Sequence, residues 1–277
     1  MTPGNFWDKH AARWNALGAP LRPSPEDIET MQDAVARHHA AAARPATAAV
    51  LLGVTPEIAT MHWPRPATLR AFDRNSSMIE SVWPGNPEID AKAACAIWTD
   101  LPLDGAWCDV ALGDASYTNL HFPGGYLDLN RELHRILKPD GLLVLRFFAR
   151  PPQRETAESI VAELLQGRIQ GFHAFKLRLA AAQQDDVRAG VLLADVWETW
   201  NRLVPNPDDL ALQLGWPKAT VATIDNYRGI SARYSFPSIE DIREVFSPHF
   251  EEVSLVQPSY ELGERCPIFQ FTPRKVR

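Results

Sequence analysis

Cysteine is scarce in this 277-residue chain. Its three residues, Cys95, Cys108 and Cys266, are too few and too far apart for a disulfide framework or a zinc-ligand cluster. Two of them fall inside apparent strands, so buried free thiols in a reducing compartment are the expectation, with no metal. Positive charge is also in deficit: 28 Lys and Arg face 34 Asp and Glu, for a net charge of −6 and a pI near 5.8. That balance argues against a dedicated nucleic-acid binder. No stretch reaches the ~18 apolar residues of a membrane span. The opening MTPGNFWDKHAARW has no apolar signal core. A cytoplasmic protein without membrane or nucleic-acid partners follows as an expectation. What the chain does have is 45% hydrophobic residues, enough for one sizeable core and a smaller second lobe.

Glycine is sparse as well, and one glycine organises the reading. In AAVLLGVTPEIA (48–59), Val50, Leu51 and Leu52 read as a strand buried on both faces, ended by Gly53. Pro56 and Glu57 then open a helix whose free N–H groups face the turn. A strand feeding a helix through a glycine turn is where doubly wound α/β proteins hold nucleotides. A second strand over 67–72 ends at Asp73, 20 residues after Gly53. An acid in that position is placed to accept hydrogen bonds from ribose hydroxyls, the alternative being a turn or helix-capping aspartate.

Ahead of the turn, residues 6–17 space Phe6, Trp7, Ala11, Trp14 and Leu17 on one helical face. Ser24-Pro25-Glu26-Asp27 opens a second helix running to about residue 42. Either both helices cover the sheet, or Trp7, Trp14 and Arg22 close over a ligand. After Asp73 come a helix at 75–82 carrying Met78, a strand at 93–98 and a strand at 109–112 ending in Gly113-Asp114-Ala115-Ser116. A helix follows with Tyr126, Leu129, Leu133, Ile136 and Leu137 on one face, and a strand at 142–148. Strands alternating with helices predict a parallel sheet with right-handed crossovers.

The order GVTPE (53–57), an acid after the second strand, Trp98 with LPL (101–103), CDVALGD (108–114) and RELHRILKPDGLLVLRF (131–147) resembles the class I S-adenosylmethionine-dependent methyltransferases. The resemblance covers residues 6–148 and resumes at 235. It implies an α/β fold with a Rossmann-like, seven-stranded, mostly parallel sheet, and S-adenosylmethionine as cofactor with S-adenosylhomocysteine as product. The cofactor contacts it implies fall on Gly53, Thr55, Asp73, Met78, Trp98, Asp100, Asp114 and Ser116. Leu51, Thr55 and Glu57 stand where the family has an acid and two further glycines, and Ile97 stands where an aspartate commonly meets the adenine amine.

Residues 1–46 are expected as helices covering the site, 47–150 and 235–277 as the cofactor-binding core, and 151–234 as a helical insertion. Helices are expected in it at 156–166, 172–183 and 187–203, with Asn206 capping a fourth. Leaving from the carboxyl end of the fifth strand, the insertion suits a lid over a small-molecule substrate, or else a homodimerisation arm. Substrate-contact candidates are Trp14, His173, Trp197, Tyr227 and Glu261. Asp114 and His121 are the candidates for taking a proton, and for His121 the alternative is a loop histidine bonded to backbone. A methyltransferase acting on a small molecule by in-line transfer to an O, N or S nucleophile is the leading expectation. A non-catalytic protein that retains the fold to bind S-adenosylmethionine or to regulate is its rival. A nicotinamide oxidoreductase ranks third, because Thr55 and Glu57 replace glycines that a pyrophosphate needs.

Overall fold

A computed structural model describes residues 4–275, with side chains from Trp7 onward. Helix α1 (Gly4–Ala12) and a 3-10 turn at Trp14–Ala16 precede α2 (Pro25–Ala42). The expected start of α2 is a reciprocal cap. Ser24 Oγ accepts from the Asp27 N–H at 3.2 Å while Asp27 Oδ2 accepts from the Ser24 N–H at 2.7 Å. Ala11 is buried as expected; Phe6, expected on the same face, lies outside the described side chains.

The core then alternates β1 (Thr47–Leu52), α3 (Pro56–Ala59), β2 (Ala67–Asp73), α4 (Ser76–Val82), β3 (Asp90–Cys95), β4 (Cys108–Asp114), α5 (Gly124–Ile136) and β5 (Leu137–Arg146). An insertion follows: α6 (Ala157–Leu165), α7 (Phe172–Ala182), β6 (Val191–Leu192), α8 (Leu193–Leu203), α9 (Pro207–Leu214), α10 (Lys218–Val221), a 3-10 segment at Ala222–Tyr227, and β7 (Arg233–Tyr234). The chain closes with α11 (Ile239–Phe246), β8 (Phe250–Val256) and β9 (Ile268–Pro273).

Seven strands form one sheet in the order β3-β2-β1-β4-β5-β9-β8. Pairing is parallel from β3 through β5, and β9 runs antiparallel to both of its neighbours. Central strands β1 and β4 are buried along nearly their whole length because both faces are covered. One face packs Val50, Leu52 and Ala111 against Leu129, Leu133 and Phe246 of α5 and α11. The other packs Leu51, Val110 and Leu112 against Met31, Val35 and Ile58 of α2 and α3. A third apolar cluster lies within the insertion, around Phe172, Phe175, Val196 and Trp200. The strand order reverses direction between β1 and β4, which opens a crevice at their carboxyl ends.

Four local expectations are corrected. The third strand ends at Cys95 rather than 98, because Trp98 turns back and its Nε1–H donates to the Phe72 carbonyl at 2.6 Å. Cys95 is exposed on this edge strand, whereas Cys108 and Cys266 are buried free thiols. The helix expected over 187–203 begins at Leu193. Gly190 adopts φ +62°, and Val191–Leu192 pair instead with Arg233–Tyr234. Asn206 precedes α9 without a side-chain cap. Among the described residues, no helix is long and apolar enough to cross a membrane.

Candidate functional site

At the β1–β4 crevice lies a cleft of about 740 Å³, part of it open to solvent. Its floor begins at Gly53, held at φ +92°. The Phe72 carbonyl accepts from both Gly53 N–H at 2.7 Å and Trp98 Nε1–H, so a single group of β2 fixes the turn and the indole together. A Cβ built on Gly53 would sit 3.9 Å from Asp73 Oδ2 and from Trp98 Cζ2, in the space those two side chains leave for a ligand. Asp73 Oδ1 accepts from Asn75 N–H at 2.9 Å, so the turn-aspartate reading holds for that oxygen, while Oδ2 faces the glycine turn. Burial raises the Asp73 carboxyl above the usual aspartate range. Asn75 also caps α4, which presents Met78 to the cleft.

A second hollow, part of it open to solvent, continues sideways past Asp73 and Trp98, bounded by Ile97, Thr99, Asn119 and Leu120. It is a largely apolar slot beside a carboxylate.

From β4 the chain delivers Asp114, Ala115 and Ser116, with Ala115 at φ +48° and its N–H on the Arg146 carbonyl at 2.9 Å. Asp114 lines the cleft, but its Oδ1 is held at 2.6 Å by Nε of Arg146, whose side chain is fully buried. Arg146 Nη1 also donates to the Pro20 carbonyl at 2.9 Å and the Tyr260 hydroxyl at 3.2 Å, near Asp27 at 3.6 Å. Burial pushes the Asp114 carboxyl up and Arg146 pulls it back; the arginine stays charged. This corrects Asp114 as a freely acting proton acceptor: it is half of a buried ion pair.

The cleft is closed by elements outside the sheet. Trp7, His10 and Trp14 project from the N-terminal segment, with His10 edge-on between the two indoles at 5.5 and 5.9 Å. Tyr227 and Tyr234 come from the insertion and Phe148 from the end of β5. Arg13 ties these parts together, donating from Nη1 to the Ala222 carbonyl at 2.6 Å and to Asn226 Oδ1 at 3.0 Å. Ser235 N–H donates to the Thr118 carbonyl at 2.9 Å, which fixes β7 to the turn after β4.

The structure thus brings Trp14, Gly53, Thr55, Asp73, Met78, Trp98, Asp114, Ser116 and Tyr227 to one cleft. Five candidates lie elsewhere. Asp100 is exposed in a shallow hollow with Leu103 and Arg135. His121 is exposed on the loop before α5, where its carbonyl receives Gly125 N–H at 2.8 Å. His173 is buried, its Nε2 at 3.0 Å from the Ala16 carbonyl. The Trp197 Nε1–H is spent on Asp225 Oδ1 at 3.0 Å, with Arg228 stacked on the ring at 5.1 Å. Glu261 caps α7 from a distance, accepting from the N–H groups of Gln170 and Gly171 at 2.7 and 2.9 Å, a position where Gly171 offers no side chain of its own.

Sequence reasoning missed His10, Thr118, Asn119, Phe148 and Tyr234 as lining residues. His10 stood three residues after Trp7 and four before Trp14, on one helical face, and that spacing was readable. Tyr234 had no local signal, since a two-residue ribbon places it.

No protein-family model matches this chain, and no curated protein does either. Solved structures do match over nearly the whole length. A protein from Rhodobacter sphaeroides described as a candidate zinc-dependent alcohol dehydrogenase aligns with TM-score 0.63 and 12% identity, covering 99% of this chain and 100% of that one. Loganic acid methyltransferase with S-adenosylhomocysteine aligns with TM-score 0.51 and 9% identity, covering 98% and 95%. The N-methyltransferase NodS from Bradyrhizobium japonicum, in complex with S-adenosylhomocysteine, gives 0.50 and 10%, covering 98% and 100%. The chain has a Rossmann-like α/β architecture. More narrowly, it has the class I S-adenosylmethionine-dependent methyltransferase fold.

Proposed function

We propose that this chain is an S-adenosylmethionine-dependent methyltransferase acting on a small molecule in an enclosed cleft, by in-line transfer to the acceptor. The observation that carries this reading is the cradle at Gly53, where a positive φ, the Asp73 carboxylate and the Trp98 indole surround the space a side chain would fill. The residues fit the cofactor. Asp73 would accept from ribose hydroxyls, the Ile97–Trp98–Thr99 slot would take the adenine, and Thr55 with the backbone of 53–55 would hold the methionine end. When bound, the cofactor supplies an electrophilic sulfonium methyl. The chain's own residues have to exclude water and orient the acceptor beside it.

Water exclusion falls to α1 and the insertion, which we read as a lid. Support comes from Tyr227 and Tyr234 lining the cleft and from Arg13 joining the lid to the N-terminal segment. A structure with S-adenosylhomocysteine bound and its sulfur open to bulk solvent would overturn the lid and favour the dimerisation arm. A small acceptor is supported by the aromatic side chains of Trp7, Trp14, Tyr227 and Tyr234 that wall the cleft in. Three unpaired thiols suit a reducing compartment such as the cytoplasm.

The oxidoreductase alternative is disfavoured because the turn after β1 reads Gly53-Val54-Thr55-Pro56, without further glycines for a pyrophosphate. Calorimetric titration of the protein with S-adenosylhomocysteine and, separately, NAD tests the choice. Binding of the first and not the second is expected; the reverse overturns the proposal. Binding without turnover of any acceptor would point to the non-catalytic alternative.

A further inference from the structure

Lys176 lies wholly inside the insertion, next to the cleft, and the cofactor reading gives it no role. It projects from α7, and its Nζ donates to the Thr223 carbonyl at 2.9 Å. The same nitrogen sits 4.3 Å from the centre of the Tyr227 ring, and Tyr227 belongs to the cleft wall. Among the described residues, no carboxylate comes within ion-pairing distance of it. A buried ammonium without a carboxylate is expensive unless something else in reach carries negative charge.

Beside Lys176, Tyr227 and Tyr234 pack edge to face with ring centres 6.1 Å apart and share a hydrogen bond between their hydroxyls. Either phenol can donate, and both residues line the cleft, so the pair can present an O–H to a ligand. A cation against the Tyr227 ring and a hydroxyl pair at the cleft wall make a donor suited to an anionic oxygen.

Apart from Asp73, assigned to the ribose, the titratable groups described in the cleft offer no base suited to neutral pH. Burial holds both tyrosines well above their usual range. Burial and the Lys176 charge press His10 down to about 3, and Asp114 is tied to Arg146. An acceptor that arrives already ionised has no proton to lose. The walls that remain are aromatic: Trp7, Trp14, Phe148, Tyr227 and Tyr234.

Building on the methyltransferase reading, we propose that the acceptor is a small planar aromatic molecule bearing an ionised oxygen, a carboxylate above all. Lys176, acting through Tyr227 and Tyr234, is the positioning residue for that oxygen.

The proton balance of Lys176 provides the test. Burial, followed by the Arg13 charge, lowers its pKa to about 7, with Asp225 opposing. The other titratable groups facing it are His10 from α1, His173 on its own helix, and Tyr227, which is bonded in turn to Tyr234. His173 is pressed to about 4, and neither histidine nor tyrosine titrates near neutrality. An anion in the cleft favours the charged lysine, so binding at pH 7.5–8 draws in a proton.

Benzoate, cinnamate and indole-3-acetate, each beside its amide, are titrated into the protein with and without S-adenosylhomocysteine, in two buffers of different ionisation enthalpy. At least one acid should bind about tenfold or more tightly than its amide and take up protons. Lys176→Met should lose both effects while still binding S-adenosylhomocysteine, which shows that the variant is folded. The inference is overturned if no acid is preferred over its amide, or if proton uptake persists in Lys176→Met. Because the acid–amide comparison is also made without the cofactor product, failure of S-adenosylhomocysteine to bind counts against the methyltransferase reading separately.

Discussion

Lys176 makes a stability prediction independent of any ligand. In the unfolded chain its ammonium keeps the ordinary pKa of 10.5, whereas burial in the fold lowers it to about 7. Between those values the unfolded state binds more protons, so the penalty on folding fades as pH rises. With about 1.4 kcal/mol for each tenfold displacement, the penalty is roughly 4 kcal/mol at pH 7 and roughly 2 kcal/mol at pH 9. Lys176→Met removes this penalty but strands the Thr223 carbonyl, which receives the Nζ donor at 2.9 Å. Losing that bond costs about 1–3 kcal/mol. The variant should therefore be more stable than wild type by about 1–3 kcal/mol at pH 7, with an advantage shrinking by about 2 kcal/mol toward pH 9. Urea unfolding of both proteins at pH 6, 7, 8 and 9 measures it, since groups away from Lys176 are shared and cancel in the difference, and His10 and His173, which feel its charge, are held at about 3 and about 4, below this range. An advantage that is flat or grows with pH would refute the reasoning.

Gly53→Val should place a branched side chain at φ +92° and in the space between Asp73 and Trp98. Strain of about 1–3 kcal/mol and loss of S-adenosylhomocysteine binding are expected, with a near-native circular dichroism spectrum; normal binding would put the cradle elsewhere. The Asp73 carboxylate is raised by burial, and the ribose bond needs its ionised form. Affinity for S-adenosylhomocysteine should thus weaken on acidification sooner than an ordinary aspartate would dictate, and a calorimetric pH series in which Asp73→Asn shows the same acid limb would contradict this. Arg146→Met should leave the Asp27 and Asp114 carboxylates buried without their cation, costing about 3–5 kcal/mol in chemical denaturation; a loss below about 1 kcal/mol would mean that the carboxylates are solvated or protonated in the native state.

The sheet was legible because its strands and helices carry their own signals. The Ser24–Asp27 cap and the double-sided apolar run of β1 each depend on neighbours within a few residues, whereas the strand expected at 142–148 begins earlier, at Leu137, because Lys138–Gly141 join β5. Asp73 and Gly53 could be placed for the same reason, since one strand–turn–helix unit fixes their spacing. The wall opposite could not. Tyr234 reaches the cleft through partners distant in sequence: Val191–Leu192 pair with Arg233–Tyr234 across some forty residues, and Ser235 N–H bonds the Thr118 carbonyl. Glu261 read as a substrate contact because its partners, the N–H groups of Gln170 and Gly171, lie about ninety residues away. Asp114 looked like a free carboxylate because Arg146 reads, in sequence, as one polar residue at the end of an apolar strand. His173 and Trp197 have the aromatic character expected of a substrate contact, yet packing turns them toward Ala16 and Asp225.

The central claim, that Asp73 and the Gly53 turn form an S-adenosylmethionine site, is tested most directly by calorimetric titration of S-adenosylhomocysteine into wild type and Asp73→Ala at pH 7.5. Wild type should bind, and the variant should lose about 1.5–3 kcal/mol, roughly ten- to a hundredfold in Kd, as expected for hydrogen bonds to a charged group. No binding to wild type, or equal affinity in the two proteins, would contradict the account.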